Sequence, residues 1–165
     1  MATGSLVSVH EYLSTSYRPD CDYVDGVVLE RNLGETDHSL LQMEIGHYYR
    51  SRRQQWGLWA LVEQRVQVFA TRFRIPDVCL VLGKPTDPII RTPPFICIEV
   101  LSKDDHLSEM RQRVEDYLNF GVRYVWILDP ATRRAYRCTP GGTQEVTELR
   151  TENPETLVPV GDLFE

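Results

Sequence analysis

Three short runs constrain the fold of this chain more than any other feature: VCLVL (78–82), FICIEVL (95–101) and YVWIL (124–128). Each is apolar almost throughout and about as long as a β-strand. Strands without polar alternation belong in the middle of a sheet covered on both faces. Between the second and third runs lies DDHLSEMRQRVEDYLNFG, where Leu107, Met110, Val114, Tyr117 and Leu118 share one helical face. Its acids come early and Gly121 supplies the stop. A strand–helix–strand crossover thus joins 95–101 to 123–128.

The rest of the chain fits around that unit. The first 21 residues read as a lead-in, with a helical turn around SVHEYL. In YVDGVVLE (23–30), two β pieces flank Asp25-Gly26, a strong hairpin signal. Thr36 or Asp37 caps a helix through HSLLQMEIGHYYRSRRQQW, whose Leu41, Ile45, Tyr48 and Tyr49 share a face. LWALVEQRVQVFA reads as one strand, and Gly141-Gly142 as a later hairpin. The pattern predicts an α/β fold, a mixed central sheet flanked by helices, in a single domain spanning 1–165.

Composition narrows the function. The 165 residues carry a formal net charge of −6, against a role in coating nucleic acid but compatible with an acidic centre inside a local basic rim. No run is long enough to span a bilayer and the start lacks a signal pattern, so a cytoplasmic location is expected. Cys21, Cys79, Cys97 and Cys138 have no CxxC spacing and read as small buried hydrophobes, not zinc ligands. Phosphate-cradling glycine loops, GxSxG and HExxH are all missing.

The informative residues are two acids in the greasy runs. Asp77 follows Pro76 at the head of the first, and Glu99 sits inside the second. A carboxylate buried in a strand must be protonated, paired with a cation or bound to a metal. Adjacent strands lie about 5 Å apart, so both side chains can reach one Mg²⁺ or Mn²⁺ from the same sheet face. Such an ion supports phosphodiester hydrolysis by acidifying water and offsetting transition-state charge. The plainer alternative has Asp77 as a strand-start residue and Glu99 paired with an arginine.

VDGVVLE, a helix opening with HS, RIPDV, IEVLS, DYLNFGV and YVWILDP, in that order, resemble the Uma-two family of restriction-endonuclease-like proteins of bacteria. PD followed by IEVLS also resembles the wider PD-(D/E)XK nuclease signature. The resemblance runs from about residue 22 to the tail. It implies a restriction-endonuclease-like core and Mg²⁺-dependent cutting of nucleic acid, DNA first. Asp77 and Glu99 would be metal ligands, with the Val100 carbonyl as a third. The wider signature's lysine, two positions after the glutamate, is here Leu101. Two residues can stand in. Lys103 has the strand parity of Glu99. Arg113 holds a position, four before Tyr117, where family members often carry lysine; it lies about 40° from Tyr117 on the helix. Arginine stabilises negative charge but does not readily exchange a proton. A catalytically inactive module for DNA binding or assembly is therefore the alternative.

His38, at the head of the first long helix, is a further catalytic candidate because histidine titrates near neutrality. Glu30 or Glu44 can complete the acid set, and Gln64 can reach the face of Asp77. Arg65, Arg72 and Arg74 are candidates to meet phosphates. The RSRR cluster (50–53) fits the helix dipole equally well, and Asp129 before Pro130 reads as turn chemistry. A homodimer is plausible for cutting both strands of a duplex.

Overall fold

The computed structural model describes residues 5–32 and 34–164. In chain order its first elements are α1 (Val9–Ser14), β1 (Asp22–Val24), β2 (Val27–Leu29), α2 (Thr36–Ser51), α3 (Arg53–Trp56), β3 (Leu58–Val62), β4 (Val66–Phe69) and β5 (Arg72–Arg74). Then come β6 (Val78–Leu82), β7 (Ile96–Val100), α4 (Leu107–Phe120), β8 (Tyr124–Asp129), β9 (Arg134–Thr139), β10 (Gly142–Val146), β11 (Glu148–Thr151) and β12 (Thr156–Pro159). A 3₁₀ turn, Val160–Phe164, closes the described chain.

The three apolar runs are the centre of a six-stranded sheet ordered β10-β9-β8-β7-β6-β3. Only β7 and β8 run parallel within it, joined by the α4 crossover; its other pairs are antiparallel. The strands alternate between two cores. Val78, Leu80, Ile96, Ile98 and Trp126 meet Leu41, Ile45 and Tyr49 of α2. Cys79, Cys97 and Val125 meet Val114 and Tyr117 of α4. Two-sided burial is why these runs are apolar without alternation, each fully buried large side chain contributing about 1.5–3 kcal/mol. All four cysteines are free and buried. Asp77 and Glu99 share the parity of Cys79 and Cys97, so both project toward the α4 side.

A second sheet, β2-β1-β5-β4, packs Tyr23 and Phe73 against Tyr12 of α1. It brings Arg31, two residues beyond β2, onto Asp77 at the head of β6. Gly26 makes the β1–β2 hairpin possible: its φ is 95°, and an added Cβ would lie 3.0 Å from the Leu6 side chain. Gly121 ends α4 in the same left-handed region, with its N–H returned to Leu118 and Tyr117 carbonyls.

Two expectations need correction. The segment 58–70 is two strands in two sheets, not one: Glu63, at φ 48°, turns the chain off β6 so that β4 pairs with β5. The alternation of Val66 and Val68 is real, but it faces β4's own sheet and the α4-side core. The helix expected through Trp56 breaks at Arg52 into α2 and α3. Strand β5, three residues of Arg-Phe-Arg, was too short to register as a pattern. No described helix is long and apolar enough to cross a membrane.

Candidate active site

Asp77 sits where the β6–β7 ladder stops. The last paired residues are Val78 and Ile98, and the next outward amide on β7, that of Val100, donates to Asp77 Oδ2 at 2.7 Å. The carboxylate therefore caps the sheet in place of a strand partner, which fixes its position. Arg31 donates to Oδ1 at 3.1 Å and His38 Nε2 lies 3.4 Å from Oδ2. Gln42 of α2 holds the Asp77 main-chain carbonyl at 2.9 Å. Burial pushes the Asp77 carboxyl up, but His38, Arg31 and the Val100 amide outweigh it and hold it below the usual carboxylate range. The same hydrogen bond raises His38, which favours imidazolium.

Glu99 is fully buried in mid-strand, 0% exposed. Tyr117 donates to Oε1 at 2.5 Å and Arg113 to Oε2 at 3.2 Å. Four residues apart on α4, these two side chains reach the sheet together. Burial raises the Glu99 carboxyl to about 8: the charge of Asp77 adds to the rise, and Arg113 and Tyr117 only partly oppose it. Arg113 is itself pushed up, because Glu99 and Asp22 outweigh its own desolvation.

Behind Glu99 runs a chain of alternating charges. Arg113 forks onto Asp22 through Nε (3.0 Å) and a second nitrogen (3.3 Å). Asp22 also accepts from Arg74 and from the Ile75 amide, both at 3.2 Å. Arg74 continues to Asp116 at 2.7 Å, and Arg72 links Asp116 to the exposed Asp25. Every member has a charged neighbour, as burial of this many charges demands, although Arg74 Nη2 is buried with no hydrogen-bond partner of its own.

The site opens into a cleft of about 380 Å³ whose wall carries Asp77, Val100, His38, Arg31, Arg74, Asp22 and Arg113. Glu30, Asp105 and Glu109 also line it. Asp77, Val100, Arg113 and His38 thus share the cleft wall, and Glu99 joins them from behind it, through Arg113, with no surface of its own in the cleft. Lys103 does not: it is two-thirds exposed and pairs with Glu35, because the strand ends before it. Gln64 turns away to the Pro88 carbonyl, Arg65 pairs with Asp20, and Glu44 is absent from the cleft. Arg72 and Arg74 serve carboxylates. Sequence reading missed Asp22 and Arg31, offered Asp116 as a partner of Arg113 where it pairs with Arg72 and Arg74, and gave Tyr117 only a core role. No local pattern marks these residues; the one available signal was Arg72 and Arg74 flanking an inward Phe73.

Among the described residues no three His, Cys, Asp or Glu side chains cluster as a metal set. The donors available to a hard cation are the Asp77 and Glu99 carboxylates and the Val100 carbonyl. In kind they fit Mg²⁺ or Mn²⁺, and the repulsion that helps raise Glu99 is what a divalent ion between the two acids would remove. Every oxygen of the two carboxylates already has a partner. Glu99 becomes a ligand only if Arg113 releases it, keeping its fork on Asp22.

One pH dependence follows. Between pH 4.5 and about 8 folded Glu99 keeps a proton that the unfolded chain releases, so the folded state binds more protons. Stability must then fall as pH rises through that window, by on the order of a few kcal/mol. Urea unfolding of wild type and Glu99→Gln at pH 5 and 8.5 measures it: the wild-type midpoint should drop more than the variant's. Parallel drops would mean that Glu99 is ionised throughout.

The family model described as "Putative restriction endonuclease", Uma2, matches residues 9–165. This chain is a member of the Uma2 family. A solved structure from Anabaena variabilis, described as "a putative nuclease belonging to DUF820", is 21% identical and superposes with a TM-score of 0.80. The alignment covers 96% of this Uma2 chain and 97% of that one. The mixed sheet with its flanking helices is therefore a nuclease-like fold. No curated protein matches the chain.

Proposed function

We propose that this Uma2 protein is an endonuclease that hydrolyses phosphodiester bonds in DNA, using a divalent cation held by Asp77, Glu99 and the Val100 carbonyl. One observation carries the reading: the Asp77 carboxylate lines a cleft beside Arg31, Arg74, Arg113 and His38, and the Glu99 carboxylate of β7 lies buried behind that wall against Arg113. Bound there, the ion would acidify a water and offset charge building on the phosphorus. The chain's own groups do the rest. Arg31, on the cleft wall, can take a phosphate oxygen while neutralising Asp77. Arg113, anchored on Asp22, can turn the nitrogen now on Glu99 toward developing negative charge. His38, favoured as imidazolium, can give a proton to the leaving oxygen. The free, buried cysteines support the cytoplasmic location we also propose.

The test is Mn²⁺ and Mg²⁺ calorimetry beside cleavage of plasmid and single-stranded DNA. Asp77→Asn and Glu99→Gln should each abolish ion binding and slow cutting by about 10²-fold or more. A wild-type protein that neither binds the ions nor cuts would end the proposal. A second reading, a module that holds DNA without cutting it, is favoured by Arg113 sitting on Glu99 with leucine at position 101. It predicts DNA binding that needs no divalent ion and survives Asp77→Asn.

A further inference from the structure

The end of the six-stranded sheet away from Asp77 carries cations in a different setting. Lys84 lies two residues past β6, about 20 Å from Asp77 at the rise of a strand. Arg91 lies in the loop between β6 and β7, and Arg123 directly before β8. All three are exposed. Around the cleft, Arg31, Arg72, Arg74 and Arg113 are each held by a carboxylate. Among the described residues, Lys84, Arg91 and Arg123 have no carboxylate partner. Lys84 stands 5.8 Å from the Trp59 ring, and Arg123 stands 6.0 and 5.9 Å from Phe95 and Tyr124, the outer limit of attraction to a ring. Arg91 donates to Gln67 Oε1. Neutral partners thus aim these cations and leave their charge unspent. Two adjoining hollows of about 200 and 250 Å³ share Leu82 and Thr92. Lys84 and Arg91 line the first and Arg123 the second; among the described residues Asp87 is the one acid lining either. The loop bearing Lys84 and Arg91 is braced. Pro85, Pro88, Pro93 and Pro94 fix φ, Gln64 holds the Pro88 carbonyl at 2.8 Å, and Ile90 bonds the main chain of Arg65 and Gln67.

We infer that this end of the sheet is a second nucleic-acid surface, which holds the sugar-phosphate backbone of DNA outside the cleft through Lys84, Arg91 and Arg123. The inference rests on the nuclease reading for the identity of the polyanion. Charge selects a polyanion: the chain carries −6 overall, yet here three exposed cations face one acid. Spacing selects an extended one. Strand β7 separates β6 from β8, so Lys84 and Arg123 stand about 10 Å apart across the sheet, the length of about three nucleotides at 3.4 Å each. An acidic peptide is anchored by apolar side chains in pockets, and of the large apolar side chains lining these hollows only Leu82 is exposed. Guanidinium groups with unspent N–H donors match phosphate oxygens. A braced loop loses little freedom on binding, so its cations are ready for the backbone. Contacts of this kind hold and orient DNA without reading its sequence, so the surface serves affinity and leaves bond breaking to the cleft.

Fluorescence anisotropy of a labelled DNA duplex, in EDTA and over a salt series, tests this on the wild-type chain and on a triple variant, Lys84→Gln with Arg91→Gln and Arg123→Gln. The three positions are exposed, so circular dichroism and the urea midpoint should not change. Affinity should fall by about 10-fold or more. The slope of log affinity against log salt should flatten by about 2–3, since each lost phosphate contact removes about 0.9 on duplex DNA. Lys84→Gln alone should flatten it by about 0.9. Variants that keep the wild-type affinity and slope overturn the inference, as does a wild type that binds no DNA. Polyglutamate or anionic phospholipid vesicles that displace the duplex equally well, charge for charge, also overturn it, because the surface would then take any polyanion. The readout needs no cleavage. A wild type that binds DNA through these cations and never cuts ends the proposed function alone; one that cuts while the triple variant binds unchanged ends this inference alone.

Discussion

Replacing Arg74 by alanine is expected to cost about 3–5 kcal/mol of folding stability, enough to unfold a marginal domain at physiological temperature. The Arg74 side chain is 2% exposed and bridges two carboxylates, Asp22 at 3.2 Å and Asp116 at 2.7 Å. Its removal leaves two buried negative charges facing each other, with Arg72 and Arg113 as their remaining cations. The penalty comes from those stranded charges more than from the lost attraction, so it can be partly reversed. Arg74→Ala with Asp116→Asn should regain a measurable part of the loss, the coupling expected of neighbours in one network. Urea unfolding of the single and double variants checks this. A single-variant cost near 1 kcal/mol would mean that water reaches the network and that Arg74 behaves as a surface partner.

Arg113→Lys should raise the rate of DNA cleavage in Mg²⁺ by about 10²-fold, the lower end of what a positioned proton-transfer group contributes. The guanidinium holds Glu99 and Asp22 together through three nitrogens and stays charged at all working pH values. A lysine at the same helical position keeps the cation, cannot fork onto both acids at once, and can exchange a proton. It should also free one Glu99 oxygen, so Mn²⁺ binding should tighten in parallel. The variant should be less stable than wild type by about 1–3 kcal/mol, since Asp22 loses a bidentate partner. Cleavage that is unchanged or weaker in Arg113→Lys, with the protein folded and ion binding intact, would reject the assignment of Arg113 to the missing lysine's place.

The apolar runs, their order, the crossover helix and the placement of Asp77 and Glu99 on neighbouring strands were all legible in the sequence. These features rest on periodicity within a few residues, and burial on both faces of a sheet leaves that signature in any strand it includes. The split of 58–70 into β3 and β4 was not legible, because a single left-handed residue, Glu63, sends an alternating pattern into a different sheet. The charge network was hidden for a related reason. Asp22 reaches Arg113 across 91 positions and Arg74 across 52, and Arg31 reaches Asp77 across 46. An ion pair leaves no local pattern, since any surface acid or arginine looks the same until the fold brings a partner to it. The sequence by itself determined which strands are central and that two acids lie among them. Only the tertiary structure decided that Arg113 and Tyr117 hold one acid, that Arg31, His38 and an amide hold the other, and that Lys103 points to solvent. Desolvation enforces those pairings, and it acts only once the chain has closed around the charges.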